Sequence, residues 1–216
     1  MEDIIKDEIL EWLDNTTEPM GILKFAYKFI PDFRKNRTPD YHHKILKQIL
    51  KLYAVAELDE KGNEIRHLET TKFDRYLGIV AFRGSAKTTI TTVLLPLYNI
   101  AMKGMPSILK DEDGKYYKLV LGENLLVITS KTSYVAEQRV VNIRNYITGT
   151  TEFTMYFGDM KPRVLRNEKT SAWTQNLFCT TNDTRIWGLG AGQQIRGANI
   201  EGFRPTLVIF DDMYSI

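Results

Sequence analysis

Apolar residues recur along the first third of the chain at the spacing of amphipathic helices. Residues 1–14 and 40–57 show this spacing most clearly, and residues 21–30 form a shorter apolar segment. The pattern predicts three short helices, followed by a polar turn at residues 59–63. We therefore expect residues 1–75 to form a helical cap on the rest of the chain.

Beyond residue 75 the pattern changes to short, continuous apolar runs, at residues 76–82, 125–130 and 206–211. Runs of this kind are typical of parallel strands that are buried on both faces. Pro96 lies within a predicted helix and should kink or end it. The alternation of strands and helices predicts the α/β class, with a mostly parallel sheet flanked by helices. The other predicted elements are strands at residues 171–180 and 184–189, helices at residues 89–102 and 132–146, and a hairpin over residues 107–122.

Composition narrows the classes of protein to which the chain can belong. Its 216 residues suffice for one domain and a small second unit. The charges, Lys+Arg 29 against Asp+Glu 27, are too balanced to indicate nucleic-acid binding, so any DNA contact must come from a local patch. The single Cys179 excludes a disulfide framework and fits a reducing cytoplasm. No apolar stretch approaches the roughly 20 residues that span a bilayer, so we expect no membrane segment.

The first apolar run leads into a motif with the chemistry of a phosphate-binding loop. Residues 81–88 read Ala-Phe-Arg-Gly-Ser-Ala-Lys-Thr and open a predicted helix. In such a Walker A loop, backbone N–H groups cradle phosphates, a lysine reaches the outer phosphates and a hydroxyl holds Mg²⁺, roles that fit Lys87 and Thr88. The strict pattern has glycine where this chain has Ala81 and Ala86. Because alanine disfavours left-handed backbone, we expect this loop to be built differently.

The last apolar run ends in two carboxylates, Asp211 and Asp212. The carboxyl end of a parallel strand is where open α/β sheets bind ligands. This is a Walker B arrangement, in which Asp211 orders the water shell of Mg²⁺ and Asp212 polarises the attacking water. Taken singly, each motif also fits a structural turn. A cation at a helix start opposes the helix dipole, however, so Lys87 favours a phosphate ligand, and the two motifs together favour a nucleotide site.

Three further candidates have open alternatives. Residues 188–197 are glycine-rich, which by itself indicates a mobile loop. Arg196 and Arg204 fit either a contact with a neighbouring subunit's nucleotide or DNA phosphates, or surface pairing with carboxylates. His42 and His43 are possible metal ligands, but neighbours on a helix point to different faces, so ordinary surface or core histidines are the expectation.

Together, these segments resemble the ATPase domain of the phage terminase large subunit, the motor that packages DNA into procapsids. The resemblance rests on residues 81–88, with an arginine four residues before the lysine, and on residues 189–197 running into residues 202–212. It covers about residues 76–213. It implies a P-loop ATPase of the additional-strand class, with ATP as substrate and Mg²⁺ as cofactor.

The resemblance also implies a role for individual residues. Arg83 contacts the phosphates and stabilises charge in the transition state, Lys87 bridges the outer phosphates and Asp212 orients the water. Asp212 departs from family members that have Asp-Glu, and its side chain is one methylene shorter. The implied nucleotide-binding residues are Arg83, Gly84, Ser85, Ala86, Lys87, Thr88 and Thr89, the metal-binding residues are Thr88 and Asp211, and the catalytic residues are Asp212, Arg83 and Lys87.

Membership of that family implies several partners: dsDNA, the portal ring of the procapsid, a small terminase subunit and other copies in a ring. It implies the cytoplasm of a bacterial host and transient location at the portal vertex. A full-length member adds a coupling motif and a nuclease domain, whereas residues 76–216 hold only the ATPase core. In the additional-strand class a later strand inserts between the two motif strands, so we expect an incomplete sheet. A second polypeptide or splicing would complete it, or the chain is a fragment.

Two other functions remain open on the sequence alone. The first is a helicase-type ATPase that acts on nucleic acid without a capsid. The second is a nucleotide-binding or assembly module without turnover, which the altered loop and the missing strand favour.

Overall fold

A computed structural model of the chain describes residues 2–17, 20–35, 38–68, 77–80, 85–161, 174–193, 195, 199–200 and 202–212. The chain divides into two compact units, which are described separately. The first contains Met1–Ser85 and Met102–Leu121, and the second contains Ala86–Ala101 and Gly122–Ile216. Each unit combines helices with a sheet, so the chain is of mixed α/β class. Within the described residues, no helix has the length and apolar character to cross a membrane.

The first unit places helices against a five-stranded sheet. Its helices are α1 (Glu2–Leu13), α2 (Met20–Phe29), α3 (Pro31–Lys35) and α4 (Asp40–Lys51). Its strands are β1 (Asp14–Asn15), β2 (Ala54–Leu58), β3 (Glu64–His67), β4 (Pro106–Lys110) and β5 (Tyr116–Val120). The strands lie in the order β1-β4-β5-β2-β3, antiparallel except for β1 and β4. The first two predicted helices are confirmed.

The third predicted helix, over residues 40–57, is wrong in its second part. The helix ends at Lys51, and Ala54–Leu58 form β2, whose residues alternate between buried and half-buried positions. Tyr53 fits the helical spacing of the apolar residues before it. The alternating pattern of a strand begins only after it, so the spacing alone does not mark the end of the helix. Because β2 pairs with β3 and β5, the expected helical cap is instead a mixed unit. The predicted hairpin at residues 107–122 is confirmed and belongs to this sheet.

Two hairpin turns of the first unit are built in the same way. In both, an aspartate carboxylate accepts backbone N–H groups from the residues two and four positions later. The distances are 2.8 Å and 2.8 Å for Asp59, and 2.9 Å and 3.0 Å for Asp111. Asp111 also accepts a hydrogen bond from Lys51 Nζ at 2.9 Å, which ties α4 to the β4–β5 turn. Both predicted turns are therefore confirmed.

The second unit contains the parallel sheet. Its strands are β6 (Leu125–Ser130), β7 (Leu177–Cys179), β8 (Arg185–Gly190) and β9 (Leu207–Asp211), in the order β7-β8-β6-β9. Both β8 and β9 run parallel to β6, and β7 is antiparallel to β8. Its helical segments are α5 (Lys87–Thr89), a π-helix (Ile90–Leu94), α6 (Leu95–Ala101), α7 (Ser133–Gly149) and α8 (Thr151–Phe157). The strands predicted at residues 125–130, 184–189 and 206–211 and the helix predicted at residues 132–146 are confirmed. Of the strand predicted at residues 171–180, residues 171–173 lie outside the described residues, and the described part forms a strand only at Leu177–Cys179. The helix α8 was not predicted.

The two motif strands differ from expectation. Among the described strands β9 pairs only with β6, so it is an edge strand. It is also not buried on both faces, since Phe210 is 65% exposed. Of the strand predicted at residues 76–82, the structure describes residues 77–80, which lie outside any strand with Val80 fully exposed. A strand needs a neighbour to pair its backbone groups, and none of the described strands pairs with this segment.

The helix predicted at residues 89–102 continues through Pro96 instead of ending there. α5, the π-helix and α6 follow one another without a break, and Pro96 is the second residue of α6. A proline lacks the N–H for the bond to the residue four positions earlier, and its ring clashes with that turn. The π-helix directly before it has the wider i→i+5 bonding pattern. The helix therefore changes its hydrogen bonding where a purely α-helical path would break.

Two glycines allow α7 to lie directly on β8. The glycine-rich run predicted as a mobile loop begins within this strand, and both Gly188 and Gly190 are buried. A Cβ atom on Gly188 would lie 2.9 Å from the carbonyl oxygen of Ala136. A Cβ atom on Gly190 would lie 2.5 Å from the backbone nitrogen of Ser133. These glycines are therefore explained by the close approach of a helix.

Replacing Gly190 with alanine should destabilise the second unit by about 2–3 kcal/mol, because the new methyl group collides with the backbone of α7. Urea denaturation measures this loss. The matched control is Gly149→Ala at the end of α7, where a Cβ meets nothing within 4 Å. Alanine gives the unfolded chain less conformational entropy than glycine does, so Gly149→Ala should leave the stability unchanged or raise it by about 0.5 kcal/mol. Equal effects of the two substitutions would contradict the close packing.

Replacing Asp111 with asparagine should remove a pH-dependent part of the stability. Burial alone would raise the pKa of the Asp111 carboxyl, but hydrogen bonds from Lys51, the Lys115 N–H and Tyr117 lower the pKa below its ordinary 3.8. The ionised carboxylate is thus favoured in the folded state. Its stabilisation is complete above the ordinary pKa and is lost as the pH falls through the lowered one.

At pH 7 we expect Asp111→Asn to cost about 1 kcal/mol, a modest value because the Lys51 ammonium is partly exposed. The difference from the unmodified chain should shrink as the pH falls from about 5 to 2. Urea denaturation across this pH range measures it. Asp59→Asn is the control for the turn itself, since Asp59 heads the same kind of turn and forms no described ion pair. Hydrogen bonds from the side chain and backbone of Asn63 also lower the pKa of the Asp59 carboxyl, so the pH-dependent loss should be present there and larger for Asp111→Asn. A difference that stays constant with pH would refute the assigned ion pair.

Candidate functional site

The three parallel strands of the second unit end together at one edge of the sheet. Ser130, the last residue of β6, is paired with Gly190 of β8 on one side and with Asp211 of β9 on the other. The carboxyl edge of a parallel sheet is the usual place for ligands in α/β folds. The acidic pair at the end of β9 therefore lies where a binding site is expected.

Both predicted motifs meet at this edge. The Thr88 hydroxyl donates to Asp211 Oδ1 at 2.9 Å, and Lys87 Nζ lies 3.0 Å from Asp212 Oδ1. Lys87 and Thr88 begin the helical segment that α5 opens, whereas Asp211 ends β9 and Asp212 directly follows it. Two pairs of side chains that are more than 120 residues apart in sequence are thus in direct contact.

Arg139 of α7 joins the same site, and the sequence did not predict it. Its Nε donates to Asp211 Oδ2 at 3.2 Å, so each oxygen of this carboxylate has a protein donor. No motif marks Arg139, because its contact depends on the parallel register that sets the end of β9 beside the end of β6. The one feature of the sequence that could indicate Arg139 is its position in the helix predicted to follow a buried strand.

The two ion pairs of the site differ in exposure. Asp211 is buried, with 4% of its side chain exposed, and its partner Arg139 is one-third exposed. Asp212 is 62% exposed, and its partner Lys87 is one-third exposed. An ion pair open to water contributes little and is easily exchanged, whereas a buried carboxylate needs its partners. The Lys87–Asp212 pair is thus the one that a ligand would separate at low cost.

The donor set beside Asp211 fits Mg²⁺. A threonine hydroxyl and a carboxylate are hard oxygen donors, and Mg²⁺ is usually bound by one or two carboxylates together with phosphates and water. Such a site needs no dense cluster of protein ligands. In the part of the chain that the structure describes, no group of three or more His, Cys, Asp or Glu side chains is arranged for a metal.

The backbone of the site corrects the expectation for Ala86. This alanine has φ 56° and ψ 15°, so it adopts the left-handed conformation that glycine would adopt more easily. Asp212 has φ 45° and is also left-handed. Among the described residues other than glycine, only Asp183 shares this feature. The loop thus keeps a backbone suited to glycine, with alanine in the position.

The remaining predicted site residues differ in burial, and some of them lie outside the described residues. Thr89 is half-buried within α5. Ser85, which belongs to the first unit, is buried, and its carbonyl oxygen accepts a hydrogen bond from the Tyr41 hydroxyl and lies 2.6 Å from His42 Nε2. Arg204 is exposed and pairs with no described carboxylate. Three predicted residues lie outside the described residues: Arg83, Gly84 and Arg196.

Replacing Ala86 with glycine should stabilise the second unit by about 0.5–1 kcal/mol. A left-handed residue with a Cβ costs about 1–2 kcal/mol, which glycine would relieve. The greater conformational freedom of glycine in the unfolded chain offsets part of this stabilisation. Urea denaturation measures the change. Ala136→Gly, in the helical backbone of α7, is the matched control and should cost about 1 kcal/mol. Destabilisation by both substitutions would show that Ala86 carries no strain.

Comparisons of this chain with protein-family models, with curated proteins and with solved structures found no match. The case for a function therefore depends on the resemblance of the motifs and on the contacts among Lys87, Thr88, Arg139, Asp211 and Asp212.

Proposed function

We propose that this chain is the ATPase portion of a viral DNA-packaging motor, a phage terminase large subunit. It would be a P-loop ATPase of the additional-strand class that hydrolyses ATP to move dsDNA into a procapsid. One observation carries the proposal: the Thr88 hydroxyl donates to Asp211 Oδ1 at 2.9 Å. The two motifs lie 123 residues apart in the sequence at this contact, and a shared Mg²⁺–ATP site requires them to lie this close in space.

Binding of ATP would begin with an exchange of partners at Lys87. Without nucleotide its ammonium lies against the Asp212 carboxylate. A triphosphate carries more negative charge than one carboxylate, and the ion pair is partly exposed, so the lysine can leave it at low cost. The backbone N–H groups of residues 84–88 would hold the phosphates.

Hydrolysis then depends on the separate roles of the two acidic side chains, Asp211 and Asp212. Thr88 and Asp211 would hold Mg²⁺, which when bound neutralises charge on the phosphate oxygens. Asp212, released from Lys87, is exposed at the end of β9 and free to orient a water molecule and accept its proton. Arg83 would stabilise the charge that develops in the transition state.

The edge position of β9 supports an incomplete ATPase core. One side of β9 has no partner among the described strands, and residues 77–80 lie outside any strand. A complementary C-terminal terminase segment that adds a strand beside β9 would satisfy this edge. The other proposed partners are dsDNA, the portal ring, a small terminase subunit and further copies in a ring, in the cytoplasm of a bacterial host.

The same observations favour a second candidate, a nucleotide-binding or assembly module without turnover. Residues 77–80 lie outside any strand and Ala86 is strained. Nucleotide binding alone demands less precise geometry than catalysis does, so these features fit a module without turnover. A helicase-type ATPase would have the same site chemistry as the packaging motor. Co-sedimentation with a portal ring would favour the motor, and its absence together with stimulation by free nucleic acid would favour the helicase.

Two substitutions should separate binding from turnover. Lys87→Ala should weaken binding of a fluorescent ATP analogue at least about 100-fold, because the cation that meets the phosphates is gone. Asp212→Asn should bind the analogue as tightly as the unmodified chain or more tightly, since Lys87 loses its competing partner. Its hydrolysis should fall about 10²- to 10⁴-fold. Lys161→Ala, an exposed lysine of the second unit, is the control for general loss of charge.

Phosphate release, measured with and without an added C-terminal terminase segment, tests whether turnover needs a further strand beside β9. We expect residues 1–216 to hydrolyse ATP slowly and the added segment to restore turnover. Fast, DNA-stimulated hydrolysis by the 216-residue chain alone would show that its core is complete. Analogue binding that Lys87→Ala leaves unchanged would overturn the proposed nucleotide site.

A further inference from the structure

Arg139 is the one charged side chain of the site to which the proposed function assigns no role. Its Nε donates to Asp211 Oδ2 at 3.2 Å, while the Thr88 hydroxyl occupies Oδ1. Arg139 lies within ion-pair distance of Asp211, whereas Lys87 is paired with Asp212. The charge of the buried carboxylate is therefore balanced by Arg139.

The position of Arg139 is fixed by the fold. The Ser130–Asp211 pairing brings the end of β9 beside the end of β6, and α7 begins three residues later, at Ser133. The Thr132 side chain caps this helix by accepting the N–H of Val135. The same end of α7 lies so close to β8 that only glycine fits at position 190. Arg139 thus projects from a helix that is held at its N-terminus and along β8.

A carboxylate that is 4% exposed depends strongly on such a partner. An uncompensated buried charge is costly, and the hydroxyl of Thr88 offers only a neutral donor. The planar guanidinium binds in a fixed direction, so it determines how the carboxylate is turned as well as balancing its charge. Without it, Asp211 would be free to turn away from Thr88 or towards water.

We infer that Arg139 is a positioning residue of the Mg²⁺ site, which holds Asp211 turned so that its carboxylate and the Thr88 hydroxyl face the same cation. This inference rests on the proposed function. Loss of a side chain that orients a metal ligand typically lowers metal affinity 10- to 100-fold. Removing a positive charge near the metal acts in the opposite direction, but the guanidinium is one-third exposed and screened by water, so the orienting effect is the larger.

The test is the Mg²⁺ dependence of nucleotide binding. Arg139→Met keeps most of the side-chain stem and removes the guanidinium, whereas Arg139→Lys keeps the charge without the planar donor. A fluorescent ATP analogue is titrated in EDTA and then at increasing MgCl₂ concentration. For Arg139→Met we expect the half-saturating Mg²⁺ concentration to rise at least about tenfold, with unchanged affinity in EDTA. Arg139→Lys should lie between this variant and the unmodified chain.

Arg144→Met is the matched control, because it removes the same charged group from the same helix, five residues further along the chain. Its Mg²⁺ dependence should equal that of the unmodified chain, and melting temperatures check that each variant is folded. An unchanged or lower Mg²⁺ requirement for Arg139→Met overturns the inference. So does an equal loss of affinity in EDTA and in Mg²⁺, which indicates a purely structural role.

The failure of this inference is distinguishable from failure of the proposed function. If the unmodified chain binds the analogue through Lys87 and Arg139→Met behaves identically, only the role of Arg139 is wrong. If the unmodified chain does not bind the analogue, or if Lys87→Ala binds it equally well, the proposed site and the inference both fall.

Discussion

The parallel pairing of β6 with a strand on each side is the constraint on which the second unit depends. All six residues of β6 are buried, and the registers of β8 and β9 bring Ser130, Gly190 and Asp211 to the same edge. Parallel strands must be joined by long crossovers, so helices cover the sheet and begin near that edge. The contact of Asp211 with Thr88 and Arg139 follows from this arrangement, because Thr88 lies in the first turn of its helical segment and Arg139 in the first half of α7.

Backbone strain is concentrated at the same edge. Ala86 precedes the helical segment and Asp212 follows β9, and both are left-handed without being glycine. Asparagine and aspartate tolerate this conformation better than alanine does, so the cost falls mainly on Ala86. Strained backbone persists where surrounding contacts determine it, and it is found often at functional sites. Two strained residues beside the same four charges are consistent with a site whose geometry is held by the fold.

The sequence predicted the elements whose signals are local. The buried run of β6 and the Asp-headed turns at Asp59 and Asp111 were found because a few adjacent residues specify them. It predicted a helix where β2 lies, because the apolar residue Tyr53 fits both periods. It also pointed to Thr88 and Asp211, but their contact and that of Arg139 depend on strand register and on a helix–strand packing distance. Such non-local geometry has no signal in the spacing of residues.

Because Asp211 and Asp212 differ in burial, a ligand would change the contacts of Asp212 more readily than those of Asp211. Asp211 is enclosed by a hydroxyl and a guanidinium, so separating it from them would leave a buried charge unpaired. Asp212 is mostly exposed, and water replaces its lysine partner at little cost. An incoming anion would therefore take Lys87 and leave the Asp211 cluster intact. The neighbouring carboxylates are alike in chemistry, and their unequal burial alone makes Asp211 a fixed partner and Asp212 an exchangeable one.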